Sequence, residues 1–387
     1  MVNRVYGVPK DYHWGDTEQI DSFLGNRPDG SKLAELWFGA HQTAPSPTDC
    51  GKNLKDLIDG DRVFALGESG GELPFLLKLL SANQALSIQA HPSRELAVKG
   101  FENEDAQNIP LDAPNRTFKD KNHKPELIYA LSTFDLMYGF RAMSATRELL
   151  SQLGALQFLK FLALEDSGCG IADAGLEKIC LRLLRLDHAC ALIEDTVDCI
   201  VQSAPRDPEA ARVRDNIMGI ADAYPGDPGI LVALLMNHLR LQPGEAIATK
   251  DGVLHAYLNG FGVEVMANSD NVLRGGLTRK HIDLDGLKQA VAWVPNTPEP
   301  FQMVEKGLVA ISDDVYSGVF DCGVIWTGGA PALIMSLGEG VRVGEESLSQ
   351  GEVVWLPAGT GDVRVRTSQS PYFLVCGSAN VSFECSD

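Results

Sequence analysis

The hydrophobic period of this chain changes twice, and that change limits the architectures open to it. Up to about Phe140, short apolar runs are broken by Gly, Pro, Asn and Asp, with "LPFLLKLLSANQALSIQAHP" the strongest of them. "SATRELLSQLGALQFLKFLALE" and "GLEKICLRLLRLDHACALIEDTVDCIV" then carry Leu and Ile at mixed three- and four-residue spacings with charges between. That is the pattern of amphipathic helices. More helix follows through "PRDPEAARVRDNIMGIADAYPGDPGILVALLMNHLRLQPGE", punctuated by Pro205, Pro225 and Pro228. From Pro243 alternation returns with frequent turn signals, and the tail reads as short strands separated by Gly-rich turns. The expectation is a mainly β protein with an α-helical domain between two β segments of jelly-roll or barrel type.

A chain of 387 residues exceeds one comfortable core, so two or three domains are expected. No apolar run reaches the ~18 residues a membrane span needs, and no signal-peptide pattern opens the sequence, so the cytoplasm is the expected location. The eight cysteines form no C-x-x-C pair and read as buried small hydrophobes in a reducing compartment. A net charge of −19 argues against nucleic acid or an anionic membrane as partner. An anionic substrate would need a local basic cluster working against that field. "GESGG" lacks the Lys-Ser/Thr of a phosphate-binding loop and "GEGVRVG" misses the dinucleotide spacing, so both are read as turns. The N-x-[ST] matches at Asn115 and Asn380 carry no weight in a cytosolic chain.

Coordinating side chains recur in β context. In "LSIQAHPSRE", Gln89 and His91 share one parity while Leu86, Ile88 and Ala90 share the other, and Pro92 stops pairing just after them. "NHKPELIYAL" sets Lys124 and Glu126 on one face and Leu127 and Tyr129 on the other. "GVLHAYLNG" places His255 between apolar neighbours before a turn. Gln89, His91, Glu126 and His255 together offer one amide oxygen, two imidazoles and one carboxylate, a set suited to zinc. With a single negative ligand the cation would keep about one unit of positive charge and stay Lewis-acidic. His123 competes as a ligand but lies on the opposite parity from Lys124 and Glu126. His13, His41, His188, His238 and His281 have no matching context and are expected to be structural.

The required basic cluster appears in "VEVMANSDNVLRGGLTRKHID". Glu264 alternates against Val263 and Val265, and Asp270, Arg274, Arg279 and Lys280 follow within a short span. Arg and Lys are the usual partners of phosphate oxygens.

These stretches, with "ELWFGAH" and the Trp-Gly of "DYHWGD", resemble the signature motifs of the type I phosphomannose isomerase family from about residue 6 to residue 283. The resemblance implies a zinc enzyme, one ion per chain, interconverting mannose 6-phosphate and fructose 6-phosphate. It implies two cupin-type jelly rolls plus a helical insertion: a discontinuous catalytic β domain (1–143 and 241–310), a helical domain (144–240) and a C-terminal jelly roll (311–387). It assigns the metal to Gln89, His91, Glu126 and His255, and catalysis to Arg274. Lys124, Glu264, Asp270 and Lys280 match further polar positions of its motifs. Gln42, Gly275 and Arg279 depart from residues common in the family, and none is a proposed ligand.

Isomerisation through an enediolate needs a base and cations aimed at the developing oxyanion. Lys124 is the expected base with Asp270 assisting, and Glu264 is its rival. Arg274 would stabilise the enediolate, while Lys280, with Arg279, would hold the phosphate. No obligatory protein partner is implied, and a monomer suffices. Two other classes stay open from the residues: a metal-dependent cupin oxygenase, and a non-catalytic sugar-binding double jelly roll.

Overall fold

The structure is a computed structural model that describes residues 2–68, 71–166, 175–304, 307–368, 370–378 and 385–386. Cys169, Asn380 and residues 69–70 of "GESGG" lie outside them. The first strand, β1 (Asn3–Val5), pairs with Val353–Leu356 in the C-terminal part of the chain. Before the helices come β2 (Val8–Lys10), β3 (Glu35–Phe38), β4 (Phe75–Ala82), β5 (Gln89–Ala90), β6 (Glu126–Ala130) and β7 (Phe134–Phe140). After them come β8 (Met236–Leu241), β9 (Glu245–Thr249), β10 (His255–Ala267), β11 (Leu273–Arg274) and β12 (Phe301–Gln302). One path runs β12-β9-β6-β10-β4-β3-β2, while β5 and β7 also pair with β10 and carry β11 and β8 beyond them.

Strand β4, "FLLKLLSA", is buried along its whole length because both faces are covered. Phe75, Leu77 and Leu79 join a core with Leu333, Met335, Trp355 and Phe373 of the C-terminal sheet. Burying each such side chain contributes roughly 1.5–3 kcal/mol. Leu36 and Phe38, Leu127 and Tyr129, and Val263 and Val265 enter the same core. Successive side chains of a strand alternate between faces, so Glu35, Trp37, Lys78, Glu126 and Glu264 all turn the other way. Register then sets Trp37 and Glu264 on either side of Lys78, and Glu126 beside Met266. A row of charged groups is thereby held on one buried face.

Strand β10 serves two sheet regions. Its first residues pair with β5 and β7, and its second half lies between β4 and β6. The crossing needs Gly260 at φ +137, where a Cβ would stand 2.7 Å from the Phe134 backbone. The register shift between Tyr257 and Asn259 falls at the same bend.

Six helices, Met143–Gln152, Leu156–Asp166, Leu176–Leu183, Ala191–Gln202, Pro208–Ala223 and Gly229–Ala233, form a block. Leu150, Ile179, Ile217 and Leu231 pack it against Ile88, Ala90, Leu254, Ala256 and Leu273, the outer side of the ligand-bearing strands. Near the chain's end, β1 and five strands between Val309 and Cys376 make a six-stranded sheet. It shares a core with a five-stranded sheet through Trp326, Val341, Val365, Leu356 and Leu374.

Strand and helix make up about 28% and 27% of the described residues, a mixed proportion where a mainly β one was expected. Part of the difference is the 13-residue helix Arg94–Ala106, which buries Ala97 and Gly100 and so carries little apolar period. Ser93 caps it by accepting the Leu96 N–H. Cys180 and Cys376 are buried, and burial pushes the Cys376 thiol up to about 12; Cys50 is exposed, against the reading of every cysteine as buried. Among the described residues no helix is long and apolar enough to cross a membrane.

Candidate metal and substrate site

Three strands deliver one compact cluster. His91 follows directly after β5, Glu126 opens β6 and His255 opens β10, and their ligand atoms lie within 4.8 Å of one another with all three residues buried. His91 Nε2 stands 3.3 Å from Glu126 Oε1, and His255 Nε2 stands 3.2 Å from Oε2. Lys124 Nζ donates to Oε1 at 2.8 Å. Gln89 lies opposite both His255 and Arg274 in register and lines the adjoining cavity.

The tautomers follow from the backbone. His91 Nδ1–H donates to the Asn271 carbonyl at 2.8 Å, and His255 Nδ1–H donates to the Val253 carbonyl at 3.0 Å. Both rings then turn Nε2 toward the carboxylate, and His255 Nε2 is hydrogen-bonded to Glu126 Oε2 at 3.2 Å. His91 Nε2 is buried without a hydrogen-bond partner. Burial brings the His91 imidazole down to about 4, and Lys124 adds to the fall against the pull of Glu126. Glu126 is held well below the usual carboxylate range: burial opposes its charge, but Lys124 and His91 outweigh that. Acceptors facing acceptors in a buried cluster repel unless a cation lies among them. Two imidazole nitrogens and a carboxylate, each imidazole fixed by a second hydrogen bond, fit zinc.

A second network lies two strands away. Lys78 Nζ sits 2.8 Å from Glu264 Oε2 and 3.3 Å from Glu35 Oε1, and Trp37 Nε1–H donates to Glu35 Oε2 at 2.7 Å. Burial opposes the Lys78 charge, yet Glu264 and Glu35 hold its ammonium above the ordinary lysine value. Burial raises the Glu264 carboxyl; Lys78 pulls it back, and Glu126 and Glu35 add to the rise. Sequence reading passed over Lys78, Glu35 and Trp37. One signal was available: a lone lysine inside "FLLKLL", on the parity that avoids the apolar core.

Both networks open on a cavity of about 760 Å³. Arg274 lines it from β11, and Thr278, Arg279 and Lys280 follow on the next loop. Lys280 is driven below its ordinary value by burial, then by Arg274 and Lys119. In a chain of net charge −19, crowded cations of this kind mark a place for an anion. Asp270 lines the cavity half exposed, with His41 Nε2 donating to it at 3.3 Å. His41 Nδ1 accepts the Thr43 N–H, so the His41 expected to be structural holds Asp270 through Nε2. His123 instead pairs with Asp251 at 3.1 Å and stands outside the cluster.

Residues 2–143 match the family model for the catalytic domain of type I phosphomannose isomerase. The mannose-6-phosphate isomerase of Escherichia coli K12 is 37% identical over 297 residues, covering 74% of this chain and 73% of that protein. The chain belongs to the type I phosphomannose isomerase family. An Arabidopsis thaliana family member, mannose-6-phosphate isomerase 1, is 30% identical over 95% of this chain and 87% of its own length. A zinc-bound crystal structure of mannose 6-phosphate isomerase superposes with a TM-score of 0.82 at 29% identity, covering 97% of this chain and 99% of that one.

Proposed function

We propose that this chain is a zinc-dependent aldose–ketose isomerase interconverting mannose 6-phosphate and fructose 6-phosphate. The carrying observation is the buried His91–Glu126–His255 cluster, whose Glu126 lines a cavity that Arg274, Arg279 and Lys280 also line. Gln89, His91, Glu126 and His255 would hold the zinc. When bound, the ion supplies a Lewis-acidic charge that polarises a sugar oxygen.

The chain's own side chains do the rest. Lys280 and Arg279 bind the phosphate at the rim, which directs the sugar carbons inward. Arg274, largely withdrawn from water, faces the oxygen on which charge grows as the enediolate forms. Lys124 moves the proton between the two carbons, with Asp270 assisting from the position His41 maintains. Glu264 contacts the sugar while Lys78 balances its charge, and it is the rival base. The sheets around each core support two cupin-type jelly rolls with a helical insertion, read as 1–143 with 241–310, 311–387 and 144–240, although β1 pairs in the C-terminal sheet and β8 pairs with β7.

A coupled assay with mannose 6-phosphate tests the reading. Turnover should vanish on chelation and return with zinc. Full turnover by metal-free protein would sink the metal role, and oxygen uptake in place of isomerisation would favour a cupin oxygenase.

A further inference from the structure

The loop that follows Arg274 is gripped from the helical block. Leu277 is fully buried at φ +54, a left-handed backbone that leucine adopts only when its surroundings enforce it. Its N–H donates to Asp227 Oδ1 at 3.1 Å, and the Thr278 N–H donates to Asp227 Oδ2 at 3.1 Å. Asp227 Oδ1 also accepts the Gly229 N–H at 2.7 Å, and the residue is 5% exposed. A buried carboxylate is stabilised by such backbone donors.

Close backbone approach completes the grip. A Cβ on Gly229 would stand 2.5 Å from the Leu277 nitrogen, and one on Gly276, at φ +123, would stand 2.5 Å from the Gly229 Cα. On the opposite flank, the Gly275 N–H donates to the Ile88 carbonyl at 2.8 Å, and the Ile88 N–H donates to the Gly276 carbonyl at 3.1 Å. The loop is therefore fastened between the Gln89 strand and the helices. Arg274 precedes the fastening on a paired strand; Thr278, Arg279 and Lys280 follow it and line the cavity.

We propose that Asp227 is a positioning residue for recognition of the substrate's phosphate. Its carboxylate holds Leu277–Thr278 in the turn that brings Arg279 and Lys280 to the cavity, so Asp227 sets phosphate affinity without itself lining the cavity. The proposal rests on the isomerase reading above.

Two variants approach the grip differently. D227N keeps the side-chain volume but turns one acceptor into a donor facing a loop N–H. G229A keeps the carboxylate but places a Cβ 2.5 Å from the Leu277 nitrogen and 2.9 Å from Asp227 Oδ1, breaking the grip by contact, so it decides the matter if D227N does not fold. Zinc-loaded enzyme is assayed with mannose 6-phosphate, using inorganic phosphate as competing anion. In both variants KM and the phosphate Ki should rise together by about tenfold, the loss of one good charge-assisted contact. Zinc content should stay unchanged and kcat should fall less than KM rises, because Arg274 is held separately by its pairing with Gln89. Unchanged KM and Ki, or a loss confined to kcat or zinc, overturns the grip on phosphate recognition. A wild-type enzyme that fails to isomerise mannose 6-phosphate overturns the isomerase reading instead, and phosphate binding by calorimetry then still reports on Asp227.

Discussion

Two buried histidines, His91 in the cluster and His238 on β8 beneath the helices, solve the same problem in opposite ways. Burial, the leading cause for both, drives each imidazole down, to about 4 for His91 and about 3 for His238, so both are neutral near pH 7. His238 Nε2–H donates to the Ala233 carbonyl at 3.0 Å, and its Nδ1 accepts from Asn216 at 3.1 Å. Both nitrogens are spent. His91 donates through Nδ1 and leaves Nε2 without a hydrogen bond beside a carboxylate. A finished histidine is structural, whereas one with a buried spare lone pair is a ligand in waiting. The carboxylates differ too: Glu264 has its countercharge in Lys78, while Glu126 is shared among Lys124 and the Nε2 atoms of His91 and His255.

The contrast is broken most completely at Glu126. E126A should lose bound zinc and all measurable isomerase activity, whereas E264Q should retain zinc; metal analysis and the coupled assay distinguish them. Zinc loss in E264Q would erase the proposed difference between the two carboxylates. R274A should keep zinc and lose on the order of 10²–10³ in turnover, the usual effect of removing one oxyanion-stabilising donor. Retained turnover would remove Arg274 from the chemistry.

Stability provides the third measure. K78M strands Glu35 and Glu264 without their cation and should cost about 3–5 kcal/mol in urea unfolding. Adding E264Q and E35Q should recover part of that loss; no recovery would mean the network is not the source.

The last test concerns pH. The unfolded chain takes up a proton at His238 near its ordinary value of 6.5, while the folded chain resists until about 3. The folded pKa is depressed, so this contribution is complete above pH 6.5 and is lost as pH falls toward 3. The loss approaches about 1.4 kcal/mol per pH unit within that window. Wild type should therefore lose stability faster than H238Q between pH 6 and 4, and parallel curves would refute the assignment.

Much of the site was legible because strand parity is local. Gln89 with His91, Lys124 with Glu126, and Glu264 between two valines could each be assigned a face before any partner strand was known. Lys78 and Glu35 were passed over because a single charge in an apolar run carries meaning only when its neighbour strands are known. The contact of His41 with Asp270 is hidden for a related reason: the two are 229 residues apart, and no periodicity links them. Arg94–Ala106 went unread because a helix lying on the surface buries too little to impose a period.

By itself the sequence determined the switch from β to α and back, the faces on which the coordinating groups lie, and the local basic cluster in an acidic chain. These rest on residue type and on spacing along one segment. Tertiary structure alone decided which faces meet: that Lys78 lies between Glu264 and Trp37, that two imidazoles turn their Nε2 atoms on one carboxylate, and that Asp227 holds the loop after Arg274. Those are outcomes of strand register and backbone hydrogen bonds between segments remote in sequence, which no local pattern encodes.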